Sequence, residues 1–277
     1  MQEISSSDNK SVDWGNTSID YAAHRPGPPD SFYQRLISLG IGLSGQSALD
    51  LGTGTGVIAR QLARQGCDVS AADISPEQIH MAKELADAEQ LSIDFTTDAA
   101  EDLIYSNDSF DVITANQCFL YFDSEIVAPL IAKWLKPNGV FVISHFSWMP
   151  RLDAIARASE ELILRHNPGW SASGYDGFTA PAYPGVLAHL HYSGYFYYDQ
   201  AIPFTRENWL GRIRASRGVG ASMDEAQVSA FNDEHDAMLR GIAGAEFNVV
   251  HRIDAHILRS GDSRTSVAFY QPNAFAS

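Results

Sequence analysis

Two cysteines in 277 residues, Cys67 and Cys118, are too few for a disulfide scaffold and form no metal-type pair, so both are expected as reduced thiols. Basic residues are also scarce. Nineteen Lys and Arg face 34 Asp and Glu, a formal net charge of -15. That balance repels phosphate backbones and sets a nucleic-acid partner aside. Long apolar runs are missing, and the polar stretch Met1 to Lys10 has no signal-peptide core, so no membrane partner is expected and the location expected is cytoplasmic. A monomer or homodimer acting on a small molecule fits these absences best.

What is present is enough apolar content, 45%, to bury a full core, in a chain whose length suits one α/β domain with an elaboration or two small domains. Ser47 to Leu51 reads as a short buried strand running into glycines. Val57, Ile58, Ala59, Leu62 and Ala63 follow at helical spacing, and Gly66 stops them. A second strand, Asp68 to Asp73, leads into Ser75-Pro76-Glu77-Gln78, where Ser75 can cap and Pro76 suits the first helical position.

Strands near Ile93 to Thr96, Phe110 to Ala115 and Val140 to His145 alternate with helical stretches, which implies a parallel sheet. The last of these helices, Glu125 to Leu135, carries Pro129, expected to kink it or delay its start, and the turn Lys136-Pro137-Asn138-Gly139 ends it. Beyond Phe146 aromatic residues mix with Gly and Pro without helical period, the texture of an insertion over a pocket. Helices at Arg206 to Ser216 and Asp224 to Gly241 and strands near Val249 to Leu258 and Thr265 to Gln271 complete the chain. The organisation expected is therefore an N-terminal cap segment and helix (1–45), a nucleotide-binding core (46–145), a lid insertion (146–205), and C-terminal helices and strands that finish the core (206–277).

Asp50-Leu51-Gly52-Thr53-Gly54-Thr55-Gly56 sets three glycines at alternate positions just after a strand, where backbone can pass close to a ligand. Asp73 closes the next strand, 17 residues after Gly56 (73 − 56), where an acidic side chain accepts from ribose hydroxyls in nucleotide-binding βαβ units. Ile74 beside it can pack on an adenine face. The third glycine comes one residue earlier than in the dinucleotide pattern G-x-G-x-x-G, which disfavours NAD. The same turn also occurs in folds that bind nothing.

On these residues the chain resembles the class I S-adenosylmethionine (SAM)-dependent methyltransferases over about residues 20 to 145. Within them it is similar to the group that includes the ubiquinone/menaquinone-type and trans-aconitate-type small-molecule enzymes. The resemblance implies a Rossmann-like fold: a mainly parallel seven-stranded sheet flanked by helices, with a lid insertion after strand five. It implies SAM as cofactor, S-adenosylhomocysteine as product, and a small-molecule methyl acceptor.

It also assigns residues. Asp50, Gly52, Thr53, Gly54 and Gly56 would hold the aminoacyl part of SAM, and Asp73 the ribose, with Ile74 and Gln78 beside it. Asp98, Ala99 and Ala100 would contact adenine, and Asn116 and Gln117 would line the methionine end. Tyr21 and Arg25, in a Tyr-x-x-x-Arg-Pro entry segment, would fold over the site, where the Arg25 guanidinium can pair with the methionine carboxylate. Strand four is not followed by Asn-Pro-Pro-Tyr/Phe, which argues against methylation of DNA bases or protein glutamine.

Methyl transfer from a sulfonium is an in-line displacement, so positioning in a dry pocket supplies most of the acceleration and a base is optional. His145, ending strand five, is the candidate catalytic base for a hydroxyl or amine; its alternative is a strand-capping histidine. A carboxylate acceptor would instead want a cation from Arg151, Arg157, Arg212 or Arg214, unless these are a solvated face. The tyrosines from Tyr192 to Tyr198 are either a pocket wall or, the favoured reading, core packing. His189 and His191 share a strand face but lack a third ligand, so no metal is expected. Two other functions remain open: a SAM-binding protein without transferase activity, and an enzyme acting on protein or RNA.

Overall fold

A computed structural model of the chain describes residues 27–177 and 184–260. One seven-stranded sheet organises them in the order β3-β2-β1-β4-β5-β7-β6. β1 (Ser47–Leu51), β2 (Asp68–Asp73), β3 (Ile93–Thr97), β4 (Phe110–Asn116) and β5 (Leu135–Trp148) run parallel, while β7 (Glu246–Arg259) is antiparallel to both β5 and β6 (His191–Thr205). From β1 the chain winds outward to β3, then returns to lay β4 on the other side of β1. That reversal opens a crevice beyond the carboxyl ends of β1 and β4, where open α/β sheets bind ligands.

The strands are apolar on both faces because helices cover both. In β4 and β5, Val112, Val140 and Val142 enter one core and Ile113, Phe141 and Ile143 the other, the two-residue period of a strand. The first core takes Phe32, Tyr33 and Leu36 from α1 (Asp30–Ser38) and Ile58, Ala59 and Leu62 from α2 (Val57–Arg64). The second takes Val127, Ile131 and Trp134 from α4 (Ser124–Trp134). Between them in sequence, α3 (Pro76–Ala88) starts as its sequence dictates: Ser75 Oγ accepts from Gln78 N at 3.3 Å and Pro76 takes the first helical position. Pro129 neither delays nor ends α4, which starts at Ser124 with the Asp123 carboxylate accepting from Glu125 N.

The region after strand five departs most from the sequence expectation. β5 extends beyond Val140 to His145 at both ends, and β6 is a sheet strand rather than part of the lid, paired with β7 from His191↔Arg259 to Thr205↔Glu246. The insertion therefore shrinks to the segment between Trp148 and His191, with α5 (Ala154–His166) and the short α6 (Pro184–Leu187). Core packing, the favoured reading of the β6 aromatics, describes one face of that strand: Phe196 and Tyr198 turn toward α1, where Tyr198 OH is 2.7 Å from Ser31 Oγ and the Arg35 guanidinium lies 4.3 Å from its ring centre. α7 (Arg206–Arg214) and α8 (Glu225–Ile242) pack beyond the sheet, α8 opening with the Asp224/Gln227 capping box. Thr265 to Gln271, read as a final strand, lies outside the described residues.

Candidate cofactor and acceptor site

A cleft of about 670 Å³ opens at the carboxyl ends of β1, β2, β4 and β5. Asp50, Thr53 and Gly56, expected at the cofactor, are not in its lining; Asp50 and Thr53 face a small cavity beside it. Asp50 is buried there, its Oδ1 accepting from Thr114 Oγ1 and its Oδ2 from Thr53 Oγ1, both at 2.7 Å. Burial pushes this carboxyl up to about 6, against the pull of the Thr114 and Thr53 hydroxyls. Asp50 thus braces the glycine turn from beneath, tying β1 to β4.

The glycines have reasons other than ligand approach alone. Gly52 and Gly56 have φ of 59° and 76°, the left-handed region. A Cβ on Gly52 would stand 2.7 Å from Cys118 Sγ and 2.8 Å from Cys118 Cβ, whereas one on Gly56 would press on Ala82 and Phe95. Gly52 is required by the loop after β4, and Gly56 by the packing of α2 against its neighbours.

Asp73 stands at the end of β2. Its Oδ2 accepts from Gly54 N at 2.8 Å and its Oδ1 from Ser75 N at 2.9 Å, which fixes the carboxylate while leaving lone pairs for two more donors. Burial raises its pKa, opposed by the N–H groups of Ser75, Gly54 and Ile74. Next to this acid Ile74 is 70% exposed, an apolar side chain left bare at the rim of the cleft. Gln78, Asp98, Ala99, Ala100, Asn116 and Gln117 join the lining. Asn116 Oδ1 accepts from Ser144 Oγ at 3.0 Å, and Gln117, at φ 61°, donates to the Phe146 carbonyl. Cys118 donates to the Leu51 carbonyl at 3.1 Å. Burial, with the charges of Asp50 and Asp73, raises its thiol well above the ordinary range, so it is a packing group rather than a nucleophile.

A polar wall with a fixed carboxylate, an exposed aliphatic beside it and a second acid at Asp98 fit the ribose, ring face and amino group of SAM. Tyr21 and Arg25 lie outside the described residues.

The other half of the cleft belongs to β5, the insertion and α7. His145 lines it, and Nδ1 of its ring lies 2.8 Å from Oδ1 of the fully buried Asp254, its register partner on β7. His256, two residues further on, sits under the pair with Nε2 3.6 Å from Asp254 Oδ1, and its Nδ1 lies 2.5 Å from Tyr192 OH. His145, Asp254 and His256 are close enough together to hold a metal ion. The direct His145–Asp254 hydrogen bond instead gives them the form of an oriented imidazole. Burial, aided by His145 and opposed by Asp254, lowers His256 to about 4, so it is neutral at ordinary pH. Trp148, Glu160, Trp170, Arg212 and Ser216 finish this half.

Of the four arginines considered from sequence, Arg212 is buried in the cleft wall, and Arg151, Arg157 and Arg214 are not part of its lining. His189 and His191 do not share a strand face: His189 precedes β6, which begins at His191. The sequence reading missed Asp254, Glu160 and Ser216, whereas Trp170 belongs to the aromatic stretch it read as an insertion over a pocket. None of the three stands in a motif, and only strand register and the placement of helices and the residues that follow them bring them to the cleft.

Residues 43–179 match the family model of a methyltransferase domain. A curated relative, the ubiquinone biosynthesis O-methyltransferase of Cereibacter sphaeroides, is 33% identical over 138 residues, 49% of this chain and 56% of that protein. The chain spans about half the length of the curated relatives it matches. Among solved structures, phosphoethanolamine N-methyltransferase 2 of Haemonchus contortus, in complex with phosphomonomethylethanolamine and S-adenosylhomocysteine, aligns with 90% of this chain and 58% of its own, at TM-score 0.52 and 18% identity. The (4+2)-cyclase SpnF aligns with 92% and 96%, at TM-score 0.53 and 14% identity. These two likenesses are likenesses of fold, and a cyclase among them shows that the fold alone does not set the chemistry.

With its sheet order, glycine turn and family match over residues 43–179, the chain carries a methyltransferase domain of the class I, SAM-dependent type. SAM is the cofactor that its cleft fits.

Proposed function

We propose that this protein transfers the methyl group of SAM to a hydroxyl of a small molecule held in the β5–α7 half of the cleft, with His145 as general base and Asp254 as the residue that positions it. The observation that carries this reading is the His145–Asp254 pair, 2.8 Å apart in the same cleft as Asp73 and Asp98.

Bound SAM supplies an electrophilic methyl group on a good leaving group. Asp73 is fixed in advance by Gly54 and Ser75, Asp98 offers an acceptor to the adenine amine, and Asn116 and Gln117 line the methionine end. Asp254 accepts Nδ1–H, which leaves the lone pair on Nε2. That atom has no partner among the described residues and can take the acceptor's hydroxyl proton. The charge then formed on the ring is met by the buried Asp254 carboxylate, for which the neutral His256 does not compete. Trp148, Trp170 and α7 wall the acceptor half, and water excluded there by a bound acceptor favours a displacement between a cation and an oxyanion.

The same reading keeps the protein in the cytoplasm as a monomer or homodimer. It is supported by two free thiols and a net charge of -15, which opposes a nucleic-acid acceptor. No helix among the described residues is long and apolar enough to cross a membrane. The chain is then divided into a cap segment, a cofactor core, a lid reduced to the residues between β5 and β6, and a C-terminal part that completes the sheet.

Calorimetric titration with SAM and S-adenosylhomocysteine, followed by transfer of labelled methyl to matched phenols and anilines, tests the proposal. Binding with turnover of phenols that falls about a hundredfold or more in His145→Ala is expected. Absence of SAM binding, or unchanged turnover in His145→Ala, overturns it.

A further inference from the structure

The α7 wall of the cleft holds a buried cation that forms no ion pair among the described residues. Arg212 on α7 is 3% exposed, and its guanidinium lies 4.7 Å from the centre of the Trp148 ring. Burial lowers its pKa to about 10, so it remains charged at neutral pH. Buried arginines ordinarily sit against carboxylates. Glu160 lines the same half of the cleft, but both its oxygens are engaged, Oε1 by Trp148 Nε1 at 2.8 Å and Oε2 by Gly174 N at 3.0 Å, and it forms no ion pair with Arg212.

Two further polar groups share this condition. Arg212 Nε, Trp170 Nε1 and Ser216 Oγ are all buried with no hydrogen-bond partner among the described residues, and all three residues line the cleft. Guanidinium and indole N–H groups only donate, and a hydroxyl can donate. Their walls are the Trp148 and Trp170 rings. A cationic fork and two neutral donors between indoles match a group that only accepts, is flat, carries negative charge, and is joined to an apolar body.

Resting on the reading of the cleft as a methyl-transfer site, we propose that Arg212, Trp170 and Ser216 form an anion subsite that selects methyl acceptors bearing a carboxylate on a planar, apolar framework. The carboxylate sits at the α7 end and leaves the hydroxyl to be methylated free to meet His145. The subsite determines specificity and takes no part in the proton transfer.

The full chain, with and without saturating S-adenosylhomocysteine, is titrated calorimetrically with benzoate, 4-hydroxybenzoate and 3,4-dihydroxybenzoate, each beside its primary amide. The carboxylates bind at least about tenfold more tightly than the amides, and Arg212→Gln removes that preference with S-adenosylhomocysteine affinity unchanged. Ser216→Ala and Trp170→Phe each weaken carboxylate binding about threefold or more, and they carry the test where Arg212→Gln fails to fold. Equal or absent binding of acid and amide by the wild type overturns the subsite. So does a preference that survives Arg212→Gln, or one that neither smaller variant weakens. A wild type that binds S-adenosylhomocysteine but shows no carboxylate preference loses the subsite alone. One that binds carboxylates but no S-adenosylhomocysteine loses the methyl-transfer reading instead.

Discussion

His145 on β5 and Asp254 on β7 stand directly opposite each other across an antiparallel pair, 109 residues apart in sequence, with Nδ1 and Oδ1 2.8 Å apart. Asp254 has no exposure and His145 reaches the cleft, so the pair ties a buried carboxylate to an imidazole in the cleft wall.

Replacing either partner separates catalysis from binding. In His145→Ala, kcat for a hydroxyl acceptor falls about a hundredfold or more, and Asp254→Asn lowers it by a smaller factor. The KM for SAM and the dissociation constant of S-adenosylhomocysteine stay at wild-type values in both, because neither residue touches the Asp73 half. Steady-state kinetics beside calorimetry check this; a rise in KM with kcat unchanged would assign the pair to binding.

Asp73→Ala weakens S-adenosylhomocysteine binding about 10–100-fold, the loss of charge-assisted bonds to two hydroxyls. Ile74→Ser weakens it about threefold through lost apolar contact while leaving the melting temperature in place, since the side chain is 70% exposed in the free protein. Calorimetry and thermal melts of both variants decide the matter. Equal affinity in Asp73→Ala would move the ribose elsewhere.

Asp50 makes stability depend on pH with a definite sign. Its carboxyl is raised from 3.8 to about 6 by burial, so the folded state holds the proton more tightly than the unfolded state does. Below the unfolded value both states are protonated. Between the two values folding loses stability as pH rises, and above about 6 the folded state carries a buried charge. Asp50→Asn lacks this loss, so its stability relative to wild type improves by about 2–3 kcal/mol from pH 4 to pH 7.5. Urea unfolding at the two pH values measures it, and parallel curves for the two proteins would refute the assignment.

Gly52→Ala destabilises the fold by about 2 kcal/mol or more, through a Cβ 2.7 Å from Cys118 Sγ and a φ of 59°. Cys118→Gly in that background recovers the steric part but not the backbone part, and Cys118→Ser recovers nothing because Cβ stays. A double-mutant cycle by chemical denaturation reads the coupling. Strict additivity would show that the two residues do not meet.

The sequence by itself determined the parts whose causes are local. The strand, glycine turn and helix from Ser47 to Arg64, the Ser75 cap and the acid that ends β2 at Asp73 all follow from residues near one another in the chain. There alternation, helical period and turn chemistry act within a few positions. Tertiary structure alone decided the acceptor half. β6 reads as irregular because its aromatics serve opposite faces of an edge strand, and only pairing with β7 makes it part of the sheet. Asp254 gains its role from the register between β5 and β7, and Arg212 from the packing of α7 over Trp148. Such contacts join residues about a hundred positions apart or come from separate elements, so they depend on how completed strands and helices pack, and no local pattern encodes them.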